Sequence, residues 1–170
     1  MKNGFCLSLL VAVFMLSGCA GYRLGSTGGQ RAGIESIEIL TPANDTVEAR
    51  LLAPLTTALR RRVQQDGTFQ LATGGPGDVV LSSRITAYQR RELSFQPGDI
   101  VTVRDYQLTM TVHATARRRD TGRILMDREV TGRTTIRVAD DLVSAERQAM
   151  PLLAEDLARN LIGLVAEGDF

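Results

Sequence analysis

Asp105-Tyr106-Gln107-Leu108-Thr109-Met110-Thr111-Val112-His113-Ala114-Thr115-Ala116 (105–116) is the stretch on which the fold turns. Apolar and polar residues alternate along it. Successive side chains of a strand point to opposite faces, so Tyr106, Leu108, Met110, Val112, Ala114 and Ala116 share one face. One buried and one wet face is the pattern of an antiparallel sheet; strands of parallel sheets are apolar on both sides. The stretches on either side repeat the alternation. Upstream, Val79, Leu81, Ile85 and Ala87 share a face; downstream, Ile124, Met126, Val130, Ile136 and Val138 do. The three read as a meander. The loop around Gln96-Pro97-Gly98-Asp99 joins the first two, and Asp120-Thr121-Gly122 is a tight-turn signal before the third. Arg128 falls on the apolar parity of the third strand, which predicts a bulge or break nearby.

The buried face needs a cover, and two helical segments supply it. Val47, Leu51, Leu55, Leu59 and Val63 recur every four residues, behind the N-cap candidates Asn44-Asp45-Thr46. Arg60, Arg61 and Arg62 lie near the C-terminus of that helix, where cations favour the dipole. Pro54 predicts a kink. The second stripe is Leu142, Ala145, Ala149, Leu153, Leu157, Leu161 and Val165, capped by Asp140 or Asp141, with Pro151 expected to kink or split it. Ile34–Leu40 and Phe69–Ala72 read as shorter strands. Gly74-Gly75-Pro76-Gly77 lacks the Lys-Ser/Thr ending of a phosphate-binding loop and reads as a turn. The expected fold is α+β: two helices packed on one face of a mostly antiparallel four- to five-stranded sheet.

Ahead of this domain stands an export signal. Met1-Lys2-Asn3, an apolar run from Phe5 to Leu16, and Leu16-Ser17-Gly18-Cys19 form a positive start, an apolar stretch and a small-residue cleavage site. The run is too short to span a bilayer. Leu-Ser-Gly-Cys resembles the bacterial lipobox, in which the Cys thiol carries the lipid. The expected organisation is therefore a signal peptide over 1–18, lipidated Cys19 with a Gly/Ser-rich tether over 19–33, and a single α+β domain over 34–170. At random-coil dimensions the fourteen tether residues 20–33 reach about 20 Å. Ala20 after the Cys, in place of the Asp that signals inner-membrane retention, predicts the outer membrane.

Maturation simplifies the chemistry. The cysteines are Cys6, lost with the signal, and Cys19, so no thiol remains for a disulfide, a nucleophile or a metal. Lys2, the only lysine, leaves too; 20 basic residues become 19, all Arg, against 19 acidic ones. A neutral, exported domain is not a general nucleic-acid binder. The chain shows no Gly-x-Ser-x-Gly elbow and no metal-ligand spacing, and its one histidine, His113, lies on the polar parity of a strand. No enzyme, cofactor or metal is expected. The informative surface is the open face of the sheet. Parity assigns it Arg84, Thr86, Tyr88 and Arg90; Gln107, Thr109, Thr111, His113, Thr115 and Arg117; and Thr131, Arg133, Thr135 and Arg137. Such a face is either simply solvated or meets a polar partner or an anionic ligand.

Three segments carry a family resemblance. Cys19-Ala20-Gly21-Tyr22-Arg23-Leu24 resembles the mature start of the LptE family of lipopolysaccharide-assembly lipoproteins. Asp105 to Thr115 is similar to that family's central strand, and Ala154-Glu155-Asp156-Leu157-Ala158 to its last helix. The resemblance implies two helices on a four-stranded sheet, no catalysis, residence in the lumen of the outer-membrane barrel LptD, and help in delivering lipopolysaccharide to the cell surface. The ligand candidates are Arg84, Arg90, Arg91, Arg104 and Arg137, whose planar forks suit phosphate. A periplasmic auxiliary lipoprotein of another envelope system, such as a transporter accessory or a cell-wall synthase activator, is the alternative. The implied location is the periplasmic side of the outer membrane, held by the N-terminal lipid.

Overall fold

The computed structural model describes residues 36–96, 99–138 and 141–167. The signal peptide, Cys19, the tether, the tip of the Gln96–Asp99 loop and Asp140 lie outside the described residues. Strands β1 (Ser36–Ile39) and β2 (Ala43–Asn44) lead through a 3-10 turn (Ala49–Leu51) into helix α1 (Leu52–Asp66). Strand β3 (Gln70–Leu71) follows, then the long strands β4 (Val79–Gln96), β5 (Asp99–Arg118) and β6 (Ile124–Arg137), and helix α2 (Leu142–Glu167). The sheet has six strands in the order β3-β1-β4-β5-β6, with β2 beside β4. The short strand expected at Phe69–Ala72 is β3, and the sixth strand, beyond the expected four or five, is the two-residue β2.

Strands β4, β5 and β6 form the antiparallel meander. Strand β1 runs parallel to β3 and β4, and β2 parallel to β4. Parallel neighbours need a long crossover, and α1 is that crossover between β1 and β4. Both helices bury their stripes on one face of the sheet: Leu55, Leu59 and Val63 from α1, and Leu153, Leu157 and Leu161 from α2, meet Leu81, Ile85, Leu108, Met110 and Val112 in one core. Each fully buried Leu or Ile contributes about 1.5–3 kcal/mol.

The helix starts differ from expectation. Val47 is fully exposed and outside the stripe. Asn44, Asp45 and Thr46 do not cap α1. Instead the Asn44 Oδ1 accepts the Thr46 N–H (2.9 Å) and hydroxyl (2.8 Å), and Asn44 Nδ2 donates to the Glu48 carbonyl, which shapes the approach. Because α1 begins at Leu52, Pro54 sits in its first turn, where N–H groups lack an intrahelical partner, so the expected cause of a kink is absent. Gly67 ends α1 in the left-handed region (φ 73°), its N–H bonded to the Val63 carbonyl. Asp141 caps α2: its carboxylate accepts the N–H groups of Val143 (3.0 Å) and Ser144 (3.1 Å). Pro151 does not split α2, which is continuous from Leu142 to Glu167.

Register slips break strict alternation at several points, and two of them change which residues enter the core. The register slips between Ile85 and Ala87, so Ala87 pairs with Thr111 on the open face and Tyr88 turns toward the helices. It slips again opposite Ala116 and Arg117, so Ile124 is half-exposed and Leu125 enters the core instead. This second bulge lies nearer the turn than Arg128 and leaves that arginine on the apolar parity. Arg128 stays opposite Ala114 and is exposed.

Helix α2 also covers part of the outer edge of β6. Asp156 accepts the Arg133 N–H (2.9 Å), and Asn160, one turn on, donates to the Thr131 carbonyl (2.9 Å). The approach is close enough that a Cβ on Gly132 would lie 2.5 Å from the Leu157 Cβ and 2.7 Å from its backbone nitrogen.

Candidate functional site

The open sheet face is built by one parity of β4, β5 and β6. Arg84 stands opposite His113, Gln107 lies between Arg91 and Thr135, and Asp105 lies between Ser94 and Arg137. The face therefore has two ends. His113 and Gln107 are six residues apart, about 20 Å along the strand.

At the first end Arg84 donates to Asp45 (2.8 Å) and His113 Nε2 meets Asp127 (2.8 Å). The depression beside them, about 280 Å³, is lined by Leu40, Thr41, Ser83, Arg84, His113 and Thr115. It lies where the sheet passes from β1 to β2 as the partner of β4. Both side chains are exposed, and each is met by a carboxylate.

At the second end Arg137 Nε donates to Asp105 (2.9 Å), and the Ser94 hydroxyl donates to the other oxygen (2.5 Å). The Arg137 hydrogen bond, then that of Ser94, holds the Asp105 carboxyl below its ordinary range, with the charge of Arg104 adding to the effect. Arg91 and Arg104 are exposed at this same end and form no ion pair among the described residues. Of the five candidate arginines, Arg137 is bound to Asp105, Arg104 precedes that aspartate on β5, and Arg91 stands farther along, opposite Gln107. Arg84 belongs to the other end.

Arg90 is the exception. The bulge at Ile85–Ala87 rotates it to the helix side, where it donates to Glu146 of α2 (2.5 Å) and lies 5.7 Å from the Tyr106 ring centroid. The Glu146 hydrogen bond raises the Arg90 pKa, so the guanidinium stays charged. Glu146 is buried, so this arginine is a structural counter-ion and not part of the open face. Tyr88 shares the pocket. Its hydroxyl has no hydrogen-bond partner among the described residues, and burial, reinforced by Glu146, pushes its pKa up to about 12. A strict period of two had put Tyr88 and Arg90 on the open face. Glu146 went unnoticed, although it sits four residues after Leu142 and three before Ala149, an acid inside an apolar stripe.

The described residues hold no group of three or more His, Cys, Asp or Glu that would bind a metal, and no described helix is long and apolar enough to cross a membrane. What they define is a two-layer α+β domain with one sheet face covered by helices and the other lined with Thr and Arg. The same two-layer fold recurs in solved structures. A candidate lipoprotein from Caulobacter crescentus CB15 shares 19% identity over 81% of this chain and 93% of its own, with a TM-score of 0.55. The Chlamydia trachomatis protein CT253 shares 10% identity over 78% and 96%, with a TM-score of 0.56. A minor lipoprotein from Acinetobacter baumannii shares 15% identity over 78% and 93%, with a TM-score of 0.51. At such identities the likeness is one of fold. Among curated proteins none matches by sequence. A family model does match, over residues 34–163, and the chain belongs to the LptE, lipopolysaccharide-assembly family.

Proposed function

We propose that this chain is an outer-membrane lipoprotein, anchored through Cys19 on the periplasmic side, and that it serves lipopolysaccharide assembly as the plug and chaperone subunit of the LptD barrel. The observation that carries the reading is the family match across residues 34–163, nearly the whole expected domain. The open face supports it. Barrel interiors are polar and partly wet, and a wall of Thr, Gln and Arg can meet such a surface through hydrogen bonds. The role is structural and needs no catalytic group. The anionic ligand is lipopolysaccharide, met at the end of the face where Arg91, Arg104 and Arg137 lie, since each charge-assisted bond to a phosphate is worth about 1.5–3 kcal/mol. Arg84, 20 Å or so away, serves a second contact on the same face.

A detergent pull-down of the native, lipidated protein tests the partner. A large outer-membrane barrel should co-purify, and a photo-cross-linker at Thr111 should trap it. Capture of periplasmic or inner-membrane proteins alone would reject the barrel in favour of another envelope system. For the ligand, Arg91→Ala with Arg137→Ala should weaken lipopolysaccharide binding, whereas Arg90→Ala should act through stability. Unchanged binding in the first pair removes the ligand site.

A further inference from the structure

Asp78 ties together two parts of the chain that are far apart in sequence. Its carboxylate accepts the Ser36 backbone N–H (3.0 Å) and hydroxyl (2.8 Å), and its carbonyl accepts the Arg119 N–H (2.8 Å). Ser36 begins β1, directly after the segment that leads from Cys19. The turn between β5 and β6, where the Arg118 N–H bonds the Arg123 carbonyl, therefore lies at the end of the domain from which the anchor segment departs.

That end is rich in arginine: Arg117, Arg118, Arg119 and Arg123. Two of the four are committed within the fold. Arg119 pairs with Glu38 and donates to the Gly77 carbonyl (2.8 Å); Arg118 lies 3.5 Å from Asp120. Arg117 and Arg123 are exposed and form no ion pair among the described residues. Beside them the bulge turns Ile124 outward at 50% exposure, opposite Arg117 across the strand pair. Two uncommitted guanidinium groups flanking an outward aliphatic side chain make a small amphipathic tip. Cations suit phosphate, and a side chain such as Ile124 suits the boundary between headgroups and acyl chains.

We infer that the β5–β6 turn, through Arg117, Arg123 and Ile124, rests on anionic glycerophospholipid headgroups of the membrane leaflet that holds the Cys19 lipid. The inference rests on the anchor reading for its geometry. It adds an orientation: this turn faces the membrane surface, while the end bearing Arg91 and Arg137 points away from it. Arginine near an anionic surface contributes about 1 kcal/mol, so removing two weakens the contact roughly 30-fold, and salt screens it.

The mature chain lacks a free thiol once Cys19 is lipidated, so Thr121→Cys in the turn offers a single labelling site. The lipidated protein carrying an environment-sensitive fluorophore there is reconstituted into phosphatidylcholine vesicles with and without a quarter phosphatidylglycerol, with spin-labelled lipid as quencher. Quenching should appear with phosphatidylglycerol, fall at 0.5 M salt and vanish in R117E/R123E, while a label at Glu92→Cys stays unquenched throughout. Equal quenching in both vesicle types, or quenching unmoved by R117E/R123E, overturns the inference. So does quenching that appears only when lipopolysaccharide replaces phosphatidylglycerol. Mass spectrometry of Cys19 reads the anchor separately. If no lipid is present, the anchor reading fails, and the tip is still judged by salt-sensitive flotation with phosphatidylglycerol vesicles, which the parent must show and R117E/R123E must lose.

Discussion

At Gly132 the fold depends on the absence of a side chain. Its missing Cβ lets Leu157 and the Leu153 carbonyl of α2 come within 3 Å of where that atom would be. Two of those three contacts are backbone atoms, which cannot swing aside. Gly132→Ala should therefore push α2 away from β6 and cost about 1–3 kcal/mol, as overpacking does; thermal melts would show it. Asp141 makes a different kind of demand. The Ser144 hydroxyl, followed by the Val143 and Ser144 N–H groups, holds its carboxyl below the ordinary value. A carboxyl lowered on folding stabilises the protein above its unfolded pKa, and the contribution is lost as pH falls through the folded pKa. Asp141→Ala should lower the melting temperature at neutral pH, and the gap between variant and parent should close as the pH is taken down through the carboxylate range. A gap that is constant with pH would mean that the cap is not ionised in its working state.

Among the elements, β5 was the most legible and β4 the least. Strand β5 alternates without interruption from Tyr106 to Ala116, and every apolar position from Leu108 to Ala116 is buried. Strand β4 alternates only up to Ile85. Beyond the bulge its phase reverses, so an arginine read as solvent-facing becomes the counter-ion of a buried glutamate. Nothing local in Ile85-Thr86-Ala87 announces that slip, because it is set by the partner strand and by α2 above it. The helices show the same division. The stripes of α1 and α2 were plain from their spacing, whereas the start of α1 was misplaced, because Asn44 and Thr46 spend their side chains on a turn ahead of it. The faces that were legible carry the energy: Leu108→Ala on β5 and Leu157→Ala on α2 should each cost about 2–5 kcal/mol. Denaturant unfolding that shows neither loss would remove the assignment of those two faces.

For the whole molecule, the domain's layout and its family were readable and the grouping of its arginines was not. The five candidates were drawn from parity and from a loop; only pairing across three strands shows that Arg91 and Arg137 share one end of the open face while Arg84 stands at the other and Arg90 lies beneath. The proposed membrane attachment belongs to the N-terminal segment ahead of the domain. Cys19→Ala should leave the protein uncleaved or free of the lipid, and palmitate labelling of the parent, absent in the variant, checks it. An unlabelled parent would remove the anchor and with it the outer-membrane assignment.

The partly covered edge of β6 has a consequence beyond the stability of one molecule. A sheet grows by adding strands to a straight, unoccupied border, and repeated addition yields fibres. Here one border is covered at Thr131 and Arg133 by Asn160 and Asp156, and the opposite border is β3, two residues long. The stretch of β4 past its pairing with β2 is interrupted by register slips near Ile85 and Glu92 and carries Arg90 and Arg91. Among the described residues each border is short, interrupted or partly covered, which works against the addition of a second molecule's strand. A domain with borders of this kind is in this way kept from the polymer that its own sheet would otherwise seed.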